Sequence, residues 1–343
     1  MRRVALLLNR NAQRVTPELV AWARSAAARP GDVFATATLE EARAAAEAIL
    51  AGGYGAVCVG GGDGTFSRAA QDFLALAPDH VPALLPLRLG GGNAIHDVCG
   101  ASPPTPAGLL SDLARAGGDE APAPLRLIEV EGRLAHFVGT GIDAKHIEDF
   151  DALIKGKLRN GPLRPLSRGI PAIVLTVLLR TLPRLVLEPR LCARIVSTGA
   201  AAERLDDAGR PTGDPLPEGA VLYDGDITIM AAATVSQYSR DITFFPFADA
   251  LSDRFQLRVS SAGPAEVLLH LPSVFDGTYR NPRTLLDFAV TGARIELSLP
   301  SPFHIGGDLQ AAAGAFTMAL SPHVVPVLRR PGGARSAPPA PRP

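Results

Sequence analysis

The stretch Val57-Cys58-Val59-Gly60-Gly61-Gly62-Asp63-Gly64-Thr65 concentrates the residue types that hold an anion. A short apolar run of strand character feeds three glycines, an aspartate and a fourth glycine, and a helix-forming segment follows. Glycine permits positive φ and lets a ligand approach the backbone with no Cβ in the way. The first turn of a helix leaves N–H groups without intrahelical partners and carries a partial positive charge. Strand, glycine turn and helix start together suit a phosphate. The spacing is not a Walker A loop, because no Lys-Ser or Lys-Thr pair follows, and it is not G-x-G-x-x-G. A hairpin turn at Asp63-Gly64 is the competing reading, but residues 66–73 carry a helical pattern where a hairpin needs a strand. An aspartate beside phosphates needs a cation between them, so Asp63 is expected to help place Mg²⁺ on a nucleotide. Its structural alternative is a cap for the following helix.

A second cluster, Leu89-Gly90-Gly91-Gly92-Asn93-Ala94, follows the next apolar run. Loops at the carboxyl ends of parallel strands share one rim, where ligands bind. Both glycine loops are therefore expected at one crevice, with Asn93 either contacting nucleotide or capping the helix that includes His96.

The elements that must position these loops alternate. Residues 4–8, 56–59 and 83–89 read as strands buried on both faces. Residues 38–50 and 65–76 read as helices, the first opened by a Thr38–Glu41 capping box and stopped at Gly52-Gly53. This order implies an α/β domain with a right-handed, parallel sheet over residues 1–124. From residue 125 the pattern becomes strand-rich: 125–130, 134–138, 191–196, 226–231, 255–259 and 294–299. Residues 125–317 are expected to form a second, mainly antiparallel β domain. Within it, 203–219 reads as a long polar loop and 158–190 as an apolar helical insertion with interspersed arginines. The last residues, 331–343, read as a disordered tail.

Composition narrows the class. Of 343 residues, 47% are hydrophobic, which supports real cores, and the zero formal net charge lacks the basic footprint of a nucleic-acid partner. Cys58, Cys99 and Cys192 have no pairwise spacing for zinc or a disulfide framework, which fits a reducing, cytoplasmic setting. The apolar run after Arg3 ends at Asn9, too short for a signal peptide, and no run reaches a membrane span. The arginine-bearing insertion reads either as a peripheral membrane contact or as a core-packed helix pair. The seven histidines show no metal spacing; His96, His136, His146 and His304 are given no role.

GGDGT after a strand, followed by a glycine-Asn loop, resembles the catalytic domain of diacylglycerol, sphingosine and ceramide kinases, and NAD kinases share the GGDGT loop and the two-domain plan. Asn9-Arg10-Asn11, Thr36, residues 137–144, residues 246–253 and Ile305-Gly306-Gly307-Asp308 match the family in order and spacing. The resemblance implies a β-sandwich-like second domain, a site in the interdomain cleft, and a chain that returns to the first domain at about 318–330. It implies ATP and Mg²⁺ as cofactors and a lipid hydroxyl as acceptor. Asn9, Thr36, Gly61, Gly62, Asp63, Gly64, Thr65, Gly91, Gly92 and Asn93 would bind nucleotide, with Asp63 and Asp253 at the metal. Asp143 would contact the acceptor, and Asp308 would act as the base beside Asp63. The chain departs from the family pattern at Arg10, Gly91 and Arg254, and Gly306 replaces the first acid of Asp-Gly-Glu, leaving Asp308 alone. A kinase of a soluble alcohol such as NAD, or a non-catalytic nucleotide- or lipid-binding homologue, stays open as an alternative.

Overall fold

The computed structural model describes residues 1–91, 93–153, 169–239 and 242–330. Val4–Asn9, Ala56–Gly61 and Ala83–Arg88 are buried almost throughout, as apolar strands are when helices cover both sheet faces. They pair in parallel, with Val33–Thr36 at the edge beside Val4–Asn9. Along the strand Ala56–Gly61 successive side chains divide between two cores. Val57 and Val59 pack with Phe66, Phe73 and Ile49 on one face, and Ala56 and Cys58 pack with Leu85, Leu87 and Leu109 on the other. Helices Leu39–Ala51 and Asp63–Leu76 supply the first face, Pro17–Ala26 and Pro106–Gly117 the second. Thr16, Thr38 and Thr105 cap three of these helices by accepting the amides of Leu19, Glu41 and Gly108.

The long last strand, Ala313–Val327, joins the two halves. It runs antiparallel to Gly292–Ser301 and to Ala123–Val130, and at its end Val327 pairs in parallel with Leu84. The parallel strands thereby continue into antiparallel ones, forming one ten-stranded sheet. A separate eight-stranded sheet is antiparallel at every pairing. Ile128, Ile195, Ile295 and Phe316 from the first sheet meet Val138, Met230, Leu257 and Phe288 from the second in a sandwich core. The protein is thus a parallel-sheet α/β unit followed by an antiparallel sandwich.

Two strands expected to be single are each divided between the sheets. Arg133–Ala135 belongs to the ten-stranded sheet and Phe137–Gly141 to the other, so the chain changes sheets at His136. Val221–Ile227 and Ile229–Ala233 divide in the same way at Thr228, whose hydroxyl donates to Ala262 O. Residues 203–219 are not one loop. Ala202–Leu205 and Pro211–Leu216 pair as a hairpin at the sheet's edge, where an exposed face lets strands be polar. Of the apolar insertion, Gly169–Thr176 and Leu182–Leu187 are α-helical with a wider turn, Val177–Thr181, between them. Its first part, and the tail 331–343, lie outside the described residues. No helix among the described residues is long and apolar enough to cross a membrane.

One buried ion pair pins the second sheet. Arg258, 1% exposed, forks onto Asp287 with Nε–Oδ1 at 2.8 Å and a second nitrogen 2.9 Å from Oδ2. Gln256 Nε2 donates to the same Asp287 at 2.7 Å, and Arg258 also reaches Phe244 O. Removing one partner of such a pair strands the other charge in the core. Asp287→Ala is expected to cost about 3–5 kcal/mol in urea unfolding, and a loss under about 1 kcal/mol would show that the pair is not holding the sheet.

Candidate functional site

The carboxyl ends of the parallel strands open on a cleft of about 1080 Å³. Its floor is the helix Asp63–Leu76, entered from Gly62 in extended conformation with no side chain capping the first turn. The uncapped amides therefore face the cleft with the positive end of a 14-residue helix. The second glycine loop lies directly against the first. A Cβ on Gly90 would fall 2.2 Å from the Cα of Gly62, so the contact is backbone to backbone and admits only glycine at position 90. On the other side Asn9, at the end of the first strand, donates from Nδ2 to Thr65 Oγ1 at 3.0 Å.

Asn9, Thr36, Gly62, Gly64, Thr65 and Gly91 all line the cleft. Gly61 ends its strand fully buried and does not. Gly92 lies outside the described residues. Asn93 is buried with a left-handed backbone (φ 61°) and is spent on its own loop, Oδ1 accepting Gly90 N and Nδ2 donating to Gly90 O. It staples the loop and does not face the cleft.

Asp63 departs most from expectation. Its carboxylate caps neither its own helix nor the cleft. Oδ2 accepts the amide of Ala94 and Oδ1 that of Ile95, both at 3.0 Å, at the start of the short helix Ala94–Val98. The imidazoles of His96 and His136, both fully buried, approach Oδ1 to 3.7 Å, and their four ring nitrogens have no hydrogen-bond partner among the described residues. Burial works to raise the pKa of Asp63, but His96, His136 and the Ala94 amide outweigh it and hold the carboxyl down at about 2. Burial pushes His136 down to about 4, against the opposing pull of Asp63. With both oxygens engaged, Asp63 does not fit as a direct Mg²⁺ ligand; its geometry straps one glycine loop to the other.

Asp308 is the acid that reaches the cleft from the second half. It follows a two-residue turn, Gly306 (φ 60°) and Gly307 (φ 87°), between the short strands Phe303–Ile305 and Asp308–Leu309. Two successive positive φ values suit a Gly-Gly turn, and Gly306 stands where an acid was expected. A Cβ on Gly64 would lie 3.6 Å from Asp308 Oδ2, so the carboxylate stands over the first turn of the helix Asp63–Leu76. Arg133 pairs with it at 3.0 Å. Arg133 and Arg68 are the cations among the described lining residues, and Arg68 is held by Asp72 at 3.1 Å. Neither arginine was singled out from sequence. Arg133 is marked there only as the residue after a Glu-Gly turn, and nothing local says that the hairpin folds over the glycine loops.

Two expected site residues lie elsewhere. Asp143 is 6% exposed and does not line the cleft; Tyr238 donates to its Oδ1, and His304 Nε2 lies 2.7 Å from Oδ2. Both oxygens are taken, which closes it to an acceptor head group. Asp253 sits exposed before the strand Phe255–Ser260, outside the cleft lining, so the structure does not bring it to a metal. Among the described residues no group of three or more His, Cys, Asp or Glu side chains could hold a metal ion.

Comparison with known proteins agrees with this geometry. Residues 3–121, which supply the parallel sheet and both glycine loops, match the family model for the diacylglycerol kinase catalytic domain. No curated protein matches the chain in sequence. Among solved structures, a diacylglycerol kinase from Bacillus anthracis str. Sterne shares 16% identity at a TM-score of 0.63, covering 97% of this chain and 99% of its own. Two others from the same strain, described only provisionally as diacylglycerol kinases, share 14% identity at TM-scores of 0.63 and 0.61. They cover 96% and 97% of this chain and 98% and 99% of their own. At these identities the likeness is one of fold, and it spans both halves. The match to the diacylglycerol kinase catalytic domain is thus carried by residues 3–121, the part of the chain that builds the floor of the cleft.

Proposed function

We propose that the chain transfers the γ-phosphoryl group of ATP to a lipid hydroxyl in this cleft. The observation that carries the reading is the placement of an exposed carboxylate, Asp308, over an uncapped helix start walled by two glycine loops. Amides of residues 62–65 hold the phosphates, with Thr65 oriented by Asn9. Arg133 and Arg68 supply the positive charge that the loop itself lacks. The acceptor oxygen attacks the γ-phosphorus, its proton passes to Asp308, the bond to the β,γ-bridging oxygen breaks, and ADP leaves. No described side-chain group is built to hold Mg²⁺, so the ion would arrive with the nucleotide and would supply charge neutralisation there. Incubation with labelled ATP and a mixed lipid extract is expected to give a labelled lipid, identified by mass. Label appearing only on NAD or another soluble alcohol would overturn the lipid reading.

A lipid acceptor requires access to a bilayer, and one surface suits it. Leu179, Val186 and Leu187 on the insertion and Leu269 on the neighbouring helix Pro264–Leu269 are 60%, 67%, 82% and 76% exposed. The sequence from 152 to 187 contains no acid but includes Lys155, Lys157, Arg159, Arg164 and Arg168. Exposed apolar side chains, on a stretch of sequence that holds basic residues and no acids, suit an anionic lipid surface. The full chain is expected to float with phosphatidylglycerol-containing vesicles, and L187E with L269E to reduce binding roughly tenfold or more. Equal flotation of wild type and the double variant would remove this surface as the contact.

A further inference from the structure

We infer that His304 and Asp143 form a buried positioning relay that holds the turn carrying Asp308 over the phosphate loop. The inference rests on Asp308 acting as the base. It gives a role to Asp143, which the cleft excludes, and to a histidine the sequence left unassigned.

The relay is continuous. Tyr238 donates its hydroxyl to Asp143 Oδ1. His304 Nε2 lies 2.7 Å from Asp143 Oδ2, and His304 Nδ1 accepts the backbone amide of Gly307 at 3.4 Å. Because Nδ1 accepts from an N–H, the ring proton resides on Nε2, where it donates to the carboxylate. One tautomer therefore satisfies both ends. His304 is fully buried and Asp143 is 6% exposed, while Tyr238 is partly buried and packs against Phe137 and Phe244. Phe137 also packs against His304, with ring centroids 5.2 Å apart and the planes tilted by 56°.

The anchored amide is the one that matters. Gly306 and Gly307 have positive φ and no side chains, so nothing in the turn itself fixes where Asp308 emerges. The turn is restrained by Gly306 N to Phe137 O, the pairing of Ile305 with Asp308, Gln310 Nε2 to Asp308 O at 2.7 Å, Gln310 N to Phe303 O and the Arg133 ion pair. Gly307 N to His304 is the one bond that ties its middle to the buried relay. Asp143 opens the helix Ile142–Phe150 directly after the strand Phe137–Gly141, so the relay refers the turn to a rigid element of the sandwich. A base must stand within hydrogen-bond reach of the acceptor hydroxyl. A shift of about 1 Å at that point costs roughly a hundredfold in rate.

The test uses the full chain. In wild type, ¹⁵N NMR of the His304 ring is expected to show the Nε2–H tautomer; an Nδ1–H ring would overturn the inference without any activity measurement. In the phosphorylation assay H304L is expected to lower kcat about 10- to 100-fold with the KM for ATP unchanged. H304N, whose Oδ1 falls where Nδ1 was and can still accept Gly307 N–H, should retain more activity than H304L. Equal losses in the two variants would exclude the Gly307 bond as the route. D308N run alongside separates the levels. If D308N is inactive while H304L is fully active, the relay fails and the base assignment survives. If D308N is fully active, the base assignment fails and the relay falls with it.

Discussion

Asp308→Asn is expected to reduce kcat for phosphoryl transfer by about 10² to 10⁴ while leaving ATP affinity and thermal stability near wild type. The separation of effects follows from where the residue sits. Its side chain is 60% exposed, its turn is held by backbone and by His304, and its one described ion pair is with the half-exposed Arg133. An exposed pair of this kind contributes little to folding, so an amide in its place keeps the shape and loses only proton acceptance. Asp308→Glu is informative in the other direction. The longer chain brings the carboxylate nearer Gly64, where 3.6 Å separates Oδ2 from the position a Cβ would take, and partial activity is the expected result. Single-turnover kinetics with ATP at saturation would measure both variants. Wild-type kcat in Asp308→Asn would remove general-base chemistry from this acid and leave the cleft as a nucleotide-binding site.

The strand, glycine turn and helix at residues 56–76 were legible because their signal is local. A buried strand, a glycine run and a helix-forming segment are adjacent in sequence, and each is dictated by its own residues. The second glycine loop was legible for the same reason, as was the rim the two share. The partners of these loops were not. Asp63 spends its carboxylate on amides 31 and 32 residues further along, a pairing that exists only after Gly62 and Gly90 have come into contact. The sandwich was legible as strands but not as sheets. At His136 and Thr228 the chain passes from one sheet to the other without a turn residue, so an apolar alternation that reads as one strand belongs to two. Residues 203–219 failed in the opposite sense, because an exposed edge hairpin is as polar as a loop. The histidines have no spacing that marks them. His96, His136 and His304 converge from a helix, a sheet crossing and a hairpin strand, a juxtaposition set wholly by tertiary structure.

Asp63→Ala is expected to destabilise the fold by about 2–6 kcal/mol, the penalty for leaving the buried Ala94 and Ile95 amides without acceptors, and to abolish ATP binding as the two glycine loops separate. Urea unfolding and ATP titration would measure these together, and a stable variant that still binds ATP would refute the strap. The same cluster makes stability acid-sensitive in two steps whose signs agree. His136 has its folded pKa lowered from 6.5 to about 4, so between those values the unfolded chain binds the extra proton. Stability is complete above about 6.5 and falls by roughly 3 kcal/mol as pH drops through 4. Asp63 has its folded pKa lowered from 3.8 to about 2, so its contribution is present above 3.8 and is lost as pH falls towards 2. The groups facing His136 are Asp63, His96 and His304; two are imidazoles, so protonation of the ring meets one carboxylate whose oxygens are already committed. His136→Phe is expected to flatten the stability curve between pH 6.5 and 4 and to shrink the lower limb without abolishing it, since His136 is one of the groups that hold the Asp63 carboxyl down, and Asp63→Asn to remove the lower limb. An unchanged profile in His136→Phe would mean that the acid response arises elsewhere. Because His136 sits where the chain changes sheets and Asp63 where the two loops meet, the protonation that unfolds this cluster also dismantles the phosphate site, and ATP affinity should decline along the same pH curve.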